Sequence, residues 1–193
     1  MRRNEQIELA RTPGFHFKDN FFDGATAMRG HFEQAIVDSA VNGGVTPFNF
    51  AFCSGVYQFL TSSAERVFPS DLTEAFAQAV RSWAAEVESV SGSSTPQVRI
   101  YMGGCNRKLA QDNVSQPWHY ILGLSIGIRS RASELRVLRR NNDDGSSDHE
   151  AILLPFNFNR LIIHRATYPY SIKSGARSMD PADGLVFLDG YLW

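Results

Sequence analysis

Four side chains of this sequence could move a proton or grip an ion from within apolar surroundings: His119, His164, Asp189 and Arg160. His119 lies in Trp118-His119-Tyr120-Ile121-Leu122, where two-residue alternation puts it on one strand face with Ile121 and Gly123. His164 shares a face with Ile162 and Arg160. A histidine in such a strand is either a packed, hydrogen-bonded core residue or a metal or proton-transfer group. Both readings stay open; with Asp112 the two could make a rearranged His/His/Asp metal set, although their positions put at least one on the wrong face or too far along its strand. Asp189 shares a face with Leu185 and Phe187. An inward acid there is costly without a base, so Asp189 is either superficial or paired, with Arg160 and Arg107 as expected partners. Arginines 129, 131, 136, 139 and 140 cluster around one hairpin, as solvated strand ends or as a surface for an anion. Cys53 and Cys105 have no histidine at a spacing that suggests a nucleophile, and two reduced structural thiols are expected. No CxxC, HExxH, P-loop or GxGxxG occurs.

These residues need strands to carry them, and the second half of the chain supplies them. Strands are expected at Val98–Met102, Pro117–Ile128, Leu135–Arg139, Ala151–Leu154, Phe158–His164 and Leu185–Tyr191, separated by turn signals at Gly103-Gly104, Asn141–Gly145 and Asp180–Gly184. Many short strands without intervening helices mean a sandwich or jelly roll. The first half reads differently. Asp23 is placed to cap a helix from about Ala25, with Met28, Phe32 and Ile36 along one stripe and Gly43-Gly44 ending it. Phe48 to Phe52 alternates like a strand. Asp71 and Glu74 form a capping box for a second helix, with Leu72, Phe76, Val80, Trp83 and Val87 on one face, running to about Val90. The expectation is one domain over 1–193, with a mixed helical support at 1–96 and the jelly-roll core at 97–193. The fold class is mainly β with N-terminal helices (α+β), a double-stranded β-helix flanked by two or more helices.

Composition narrows the partners. Of 193 residues, 43% are hydrophobic, enough for a real core, and Lys+Arg 19 against Asp+Glu 20 leaves a net charge of -1. That balance points to neither nucleic acid nor a membrane surface. No apolar run reaches the roughly 20 residues of a membrane span. No hydrophobic segment follows Met1-Arg2-Arg3-Asn4-Glu5, so a cytoplasmic location is expected.

Several segments together resemble a known family. Tyr101-Met102-Gly103-Gly104-Cys105-Asn106-Arg107-Lys108-Leu109 is similar to the entry to the metal site of bacterial iron(II)/2-oxoglutarate oxygenases related to prolyl hydroxylases. Pro117–Leu122, Arg131–Leu138 (with Glu134 at the family's acid), Phe158–Ile163 and Gly184–Phe187 resemble its later strands. The resemblance is clearest from Gln97 to Trp193. It implies a double-stranded β-helix with iron held by His-X-Asp and a distal His. Carried over position by position, Ala110 stands at the first histidine, Asp112 at the aspartate, Tyr170 at the distal histidine, and Leu185 at the basic residue that clamps 2-oxoglutarate. A methyl has no donor atom, a phenol binds metal well only as phenolate, and leucine cannot pair with a carboxylate.

The expected site follows: Asp112, Tyr170, His119 and His164 as catalytic groups, Tyr101, Arg107, Arg160 and Asp189 toward a substrate, and no metal or other cofactor. Asp112 is alternatively a solvated loop acid, and Tyr170 a ring packed on the sheet. The leading reading is an oxygenase-like barrel repurposed for metal-independent, non-oxidative acid/base chemistry on a small molecule or peptide, or for binding one. The alternatives are a working hydroxylase using Fe(II) and 2-oxoglutarate, with His119 or His164 beside Asp112, and a non-catalytic interaction subunit contacting through the basic hairpin or Trp193. A homodimer through exposed sheet edges is a further expectation.

Overall fold

The computed structural model describes residues 14–41, 47–53, 57–111, 115–126, 133–140 and 149–193. Two antiparallel sheets face each other. Their strands are β1 (Phe15–Lys18), β2 (Asn49–Cys53), β3 (Tyr57–Ser63), β4 (Gln97–Tyr101), β5 (Asn106–Ala110), β6 (Trp118–Gly123), β7 (Glu134–Arg140), β8 (His149–Pro155), β9 (Leu161–Arg165), β10 (Tyr170–Lys173) and β11 (Leu185–Leu192). The larger sheet has the order β1-β9-β6-β11-β4-β3-β2 and the smaller β5-β10-β7-β8. From β4 onward the chain passes back and forth between the sheets, which makes the double-stranded β-helix. Helices α1 (Ala25–Val41) and α2 (Ser70–Val87) belong to the N-terminal part.

The middle of the larger sheet is buried on both faces, and its sequence says why. Every residue of β6 is buried, as are seven of the eight in β11. Alternation sends Tyr120 outward, edge-on to Phe76 of α2 at 6.2 Å, and sends His119 inward to Tyr170 of the other sheet. The α2 stripe of Phe76, Val80 and Ala84 is fully buried. Phe22 adds an edge contact to Phe76 at 5.6 Å, so one aromatic layer joins the helix to the outer face of the sheet.

Several expectations are corrected. Helix α2 starts at Ser70 after Pro69 and has no side-chain cap, so Asp71 and Glu74 do not form the capping box, and it stops at Val87, before Val90. The aromatic stretch after Phe48 is two paired strands, with Phe50 opposite Leu60. β6 ends at Gly123 rather than Ile128, and the carbonyl of Asn157 fills the place a side chain would need at that last position. β9 starts at Leu161, since Asn159 takes a left-handed turn (φ 55°). β1, β5 and β10 are strands with no counterpart in the sequence reading. Gly43-Gly44 and Asn141–Gly145 lie outside the described residues, whereas α1 does begin at Ala25. Among the described residues no helix is long and apolar enough to cross a membrane.

Candidate functional site: a buried histidine pair beneath Tyr170

The pairing of β6 with β9 sets His119 directly opposite His164. Residues opposite each other in a ladder point to the same face, so both rings enter the space between the sheets. His119 Nδ1 and His164 Nε2 stand 3.1 Å apart with the rings perpendicular, 5.0 Å between centroids. Both residues are completely buried. The two histidines thus share one face, side by side, while Asp112, the third member of the set weighed from sequence, lies outside the described residues. The register of two strands 45 residues apart brings them together.

Each histidine is anchored by its other nitrogen. His164 Nδ1 donates to the carbonyl of Arg165 at 2.9 Å, and His119 Nε2 meets Asp189 Oδ2 at 3.4 Å. Asp189 sits on β11, the central strand, between β4 and β6. Its ion-pair partner is Arg99 of β4, whose Nε donates to Oδ1 at 2.7 Å. This corrects the expectation of Arg160 or Arg107. Arg160 instead grips Asp19 through two hydrogen bonds of 2.6 and 2.7 Å, with its guanidinium 4.9 Å from the Phe17 ring. Burial pushes the Asp189 carboxyl up, but the charge of Arg99 and the hydrogen bond from His119 outweigh it and hold the group below the usual carboxylate range. Asp189 is therefore an ionised carboxylate in the interior. On the outer face, burial and then the field of Asp189 raise Tyr120 well above an ordinary phenol.

Tyr170 closes the cluster from the smaller sheet. It is buried, and its ring tilts over both His119 (5.1 Å) and His164 (5.2 Å). On its own sheet Tyr170 pairs directly with Ala110 of β5 and with Val137 of β7. Arg107, also on β5, places its guanidinium 4.0 Å from the Tyr170 ring centre, a cation over an aromatic face in a place sheltered from water. Tyr191 stacks on His119 at 5.0 Å and 29°. The remaining candidates lie apart. Tyr101 packs between Phe59 and Phe187, and Leu185 is buried opposite Tyr101. Cys105 is a buried free thiol. Trp193, half exposed, lies against Gly92 and accepts hydrogen bonds on its carbonyl from the Ser91 and Gly92 amides. Asp112, Arg129 and Arg131 lie outside the described residues.

The residue missed from sequence is Arg99. A signal was present in the alternation of Val98 and Ile100 with Arg99 and Tyr101, in a strand where Arg99 is partly buried beside the fully buried Val98 and Ile100. A charged residue there must meet an opposite charge.

No protein-family model matches this sequence, and no curated protein matches it either. Solved structures do match. A Pseudomonas putida prolyl-4-hydroxylase superposes with a TM-score of 0.64 at 12% identity, over 98% of this chain and 97% of that one. SnoN, a non-heme alpha ketoglutarate dependent epimerase from nogalamycin biosynthesis, gives 0.67 at 10% identity, over 98% and 81%. SnoK, a carbocyclase with the same dependence and from the same biosynthesis, gives 0.59 at 9%, over 100% and 84%. At these identities the likeness is one of fold, and it extends across the whole chain: this protein has the double-stranded β-helix fold of the iron/2-oxoglutarate oxygenases.

Proposed function

We propose that this chain is an oxygenase-type barrel that has lost its iron triad, and that its interior serves metal-independent, non-oxidative acid/base chemistry on a small metabolite or peptide, or binds one. The supporting observation is a register. Tyr170 lies directly opposite Ala110, so the two places where the resemblance puts iron-binding histidines are neighbours, occupied by a phenol and a methyl. Iron and 2-oxoglutarate do not fit these residues. Ala110 offers no electron pair, Tyr170 is covered by Arg107 and the two imidazoles, and Leu185 is buried hydrocarbon where a carboxylate clamp belongs. The adjacent Asp189–His119–His164 chain supplies what proton transfer needs, an ionised carboxylate and imidazoles in a site closed to water.

The test rebuilds the triad. Ala110→His with Tyr170→His, alongside the native Asp112, is expected to bind one Co(II) or Fe(II) per chain, while the parent, loaded anaerobically, binds none stoichiometrically and does not consume 2-oxoglutarate. One tightly held iron per parent chain together with 2-oxoglutarate turnover would overturn the proposal.

A second reading, a working iron enzyme with relocated ligands, is favoured by one feature. The inner nitrogens of His119 and His164 face each other, while the outer ones are tied to a carboxylate and a carbonyl, as metal-ligating histidines usually are. On that reading His119→Gln and His164→Gln each abolish Fe(II) binding by the parent.

A further inference from the structure

The inward face of the larger sheet changes character at β3 and β4. Register sets Asn49, Thr61 and Arg99 side by side on three neighbouring strands. The next row, two residues along, is Ser63, Gln97 and Asp189. Side chains opposite each other in a ladder share a face, so all six lie on the face that carries Asp189 and looks toward the smaller sheet. Asn49 is exposed and Thr61, Ser63, Gln97 and Arg99 are half-buried, whereas His119 and His164, further across the same face, have no exposed surface. The two rows form a polar shelf at the open side of the barrel. It is about 10 Å wide across three strands and about 7 Å deep along them, the footprint of a small metabolite.

Arg99 supplies the charge of this shelf. It meets Asp189 through Nε, and its guanidinium lies 5.1 Å from the Phe59 ring. These two contacts fix the plane of the fork. Among the described residues no acceptor meets Nη1 or Nη2, and the side chain is 23% exposed, so that end of the fork opens onto the shelf. An arginine that served only to neutralise a carboxylate could grip it with two nitrogens, as Arg160 grips Asp19. The side chains of Thr61, Ser63 and Gln97 also form no hydrogen bond among the described residues. Tyr101 and Tyr170 are near enough to act on the charge of Arg99, which gives the shelf an aromatic inner wall.

We infer that this shelf is a binding site for a small carboxylate that carries hydroxyl groups, with the carboxylate on the two Nη nitrogens of Arg99 and the hydroxyls on Asn49, Thr61, Ser63 and Gln97. A planar guanidinium edge matches the two oxygens of a planar carboxylate. Serine and threonine hydroxyls and side-chain amides both donate and accept, which suits a ligand hydroxyl that does the same. Asp189 holds the other edge of Arg99 and so aims the fork. The inference rests on the reading of the barrel as a small-molecule site, and it names the class of molecule. β4 is the neighbour of β11, so the ligand would lie beside the carboxylate end of the Asp189–His119–His164 chain.

The experiment adds gluconate, a hydroxyl-rich carboxylate, to metal-free ¹⁵N-labelled protein and follows the backbone amides by NMR. Saturable shifts are expected at Thr61, Ser63, Gln97 and Arg99, and none at Arg136 or Lys173, which are exposed on the smaller sheet. Glucose has the hydroxyls without the charge, and inorganic phosphate has charge without a planar carboxylate. Each is expected to bind about tenfold more weakly than gluconate, or worse. Arg99→Lys keeps a cation for Asp189 but has no fork, and should weaken gluconate about tenfold. Thr61→Val removes one hydroxyl at equal size and should weaken it about fivefold. Absence of saturable shifts with gluconate would overturn the inference. Phosphate or glucose binding as tightly as gluconate, or an unchanged affinity in Arg99→Lys, would overturn it too. These titrations contain no metal, so they are decided separately from the proposed function: iron held by the parent chain with 2-oxoglutarate turnover sinks that reading, and the gluconate series alone decides this one.

Discussion

At the residue scale, Asp189 balances the buried charges, since Arg99 and the histidine pair both lean on its two oxygens. Removing one partner of a buried ion pair leaves the other charge stranded. Asp189→Asn is therefore expected to cost about 3–5 kcal/mol in urea unfolding. Arg99→Met with Asp189→Leu is expected to recover part of that loss, because the stranded guanidinium goes too. The pH dependence has a definite sign. Folding lowers the proton affinity of Asp189, so its contribution is fully present above the unfolded carboxylate pKa of about 4 and is lost as pH falls through the lower folded value. Asp189→Asn should flatten the acid limb of the stability profile. An unchanged acid limb would show that Asp189 is not held ionised as described.

At the element scale, the register and the turns do the positioning, and a sequence reveals these least. The long apolar strands β6, β9 and β11 were legible from alternation, as were the neighbours that share a face with His119, His164 and Asp189, but not that all three faces point inward. Nor was their contact, because it depends on which strands pair and in what register, and no local signal encodes that. β10 is the four residues Tyr-Ser-Ile-Lys, and β5 is exposed at four of its five positions. Elements so short or so exposed lack the apolar run that marks a strand. The family resemblance supplied what periodicity could not, pointing to Ala110 and Tyr170 before their pairing was known. Asn159 illustrates turn-level positioning. Its left-handed backbone lets the side chain clamp Phe22, accepting from the amide at 2.9 Å and donating to the carbonyl at 3.0 Å. Asn159→Ala forfeits both bonds and strains the turn, and should cost about 2–3 kcal/mol in thermal or urea unfolding. Asn159→Gly keeps the turn and should lose less. Equal losses would mean that the turn conformation contributes nothing.

At the scale of the whole molecule, the barrel is most rigid where the site is anchored. β11 has β4 and β6 on its two sides, and β6 has β11 and β9, so the strands carrying Asp189, His119 and His164 form the middle of the larger sheet. Among the described residues β2 and β8 are edges, paired on one side only, with Phe50 and Leu153 exposed along them. An amide exchanges when its strand opens, and central strands open only with the global transition, whereas edges open locally. Hydrogen-exchange mass spectrometry should therefore find 118–123 and 185–192 the last segments to exchange, and 49–53 and 149–155 among the first of the strands. The same measurement bears on the expected homodimer, because an unpaired edge with exposed apolar side chains invites a second chain. If the protein acts alone, edge exchange is independent of its concentration. If β2 or β8 instead becomes as slow as β11 when the protein is concentrated, and speeds up on dilution, that edge is paired with another copy and the barrel's working form is an oligomer.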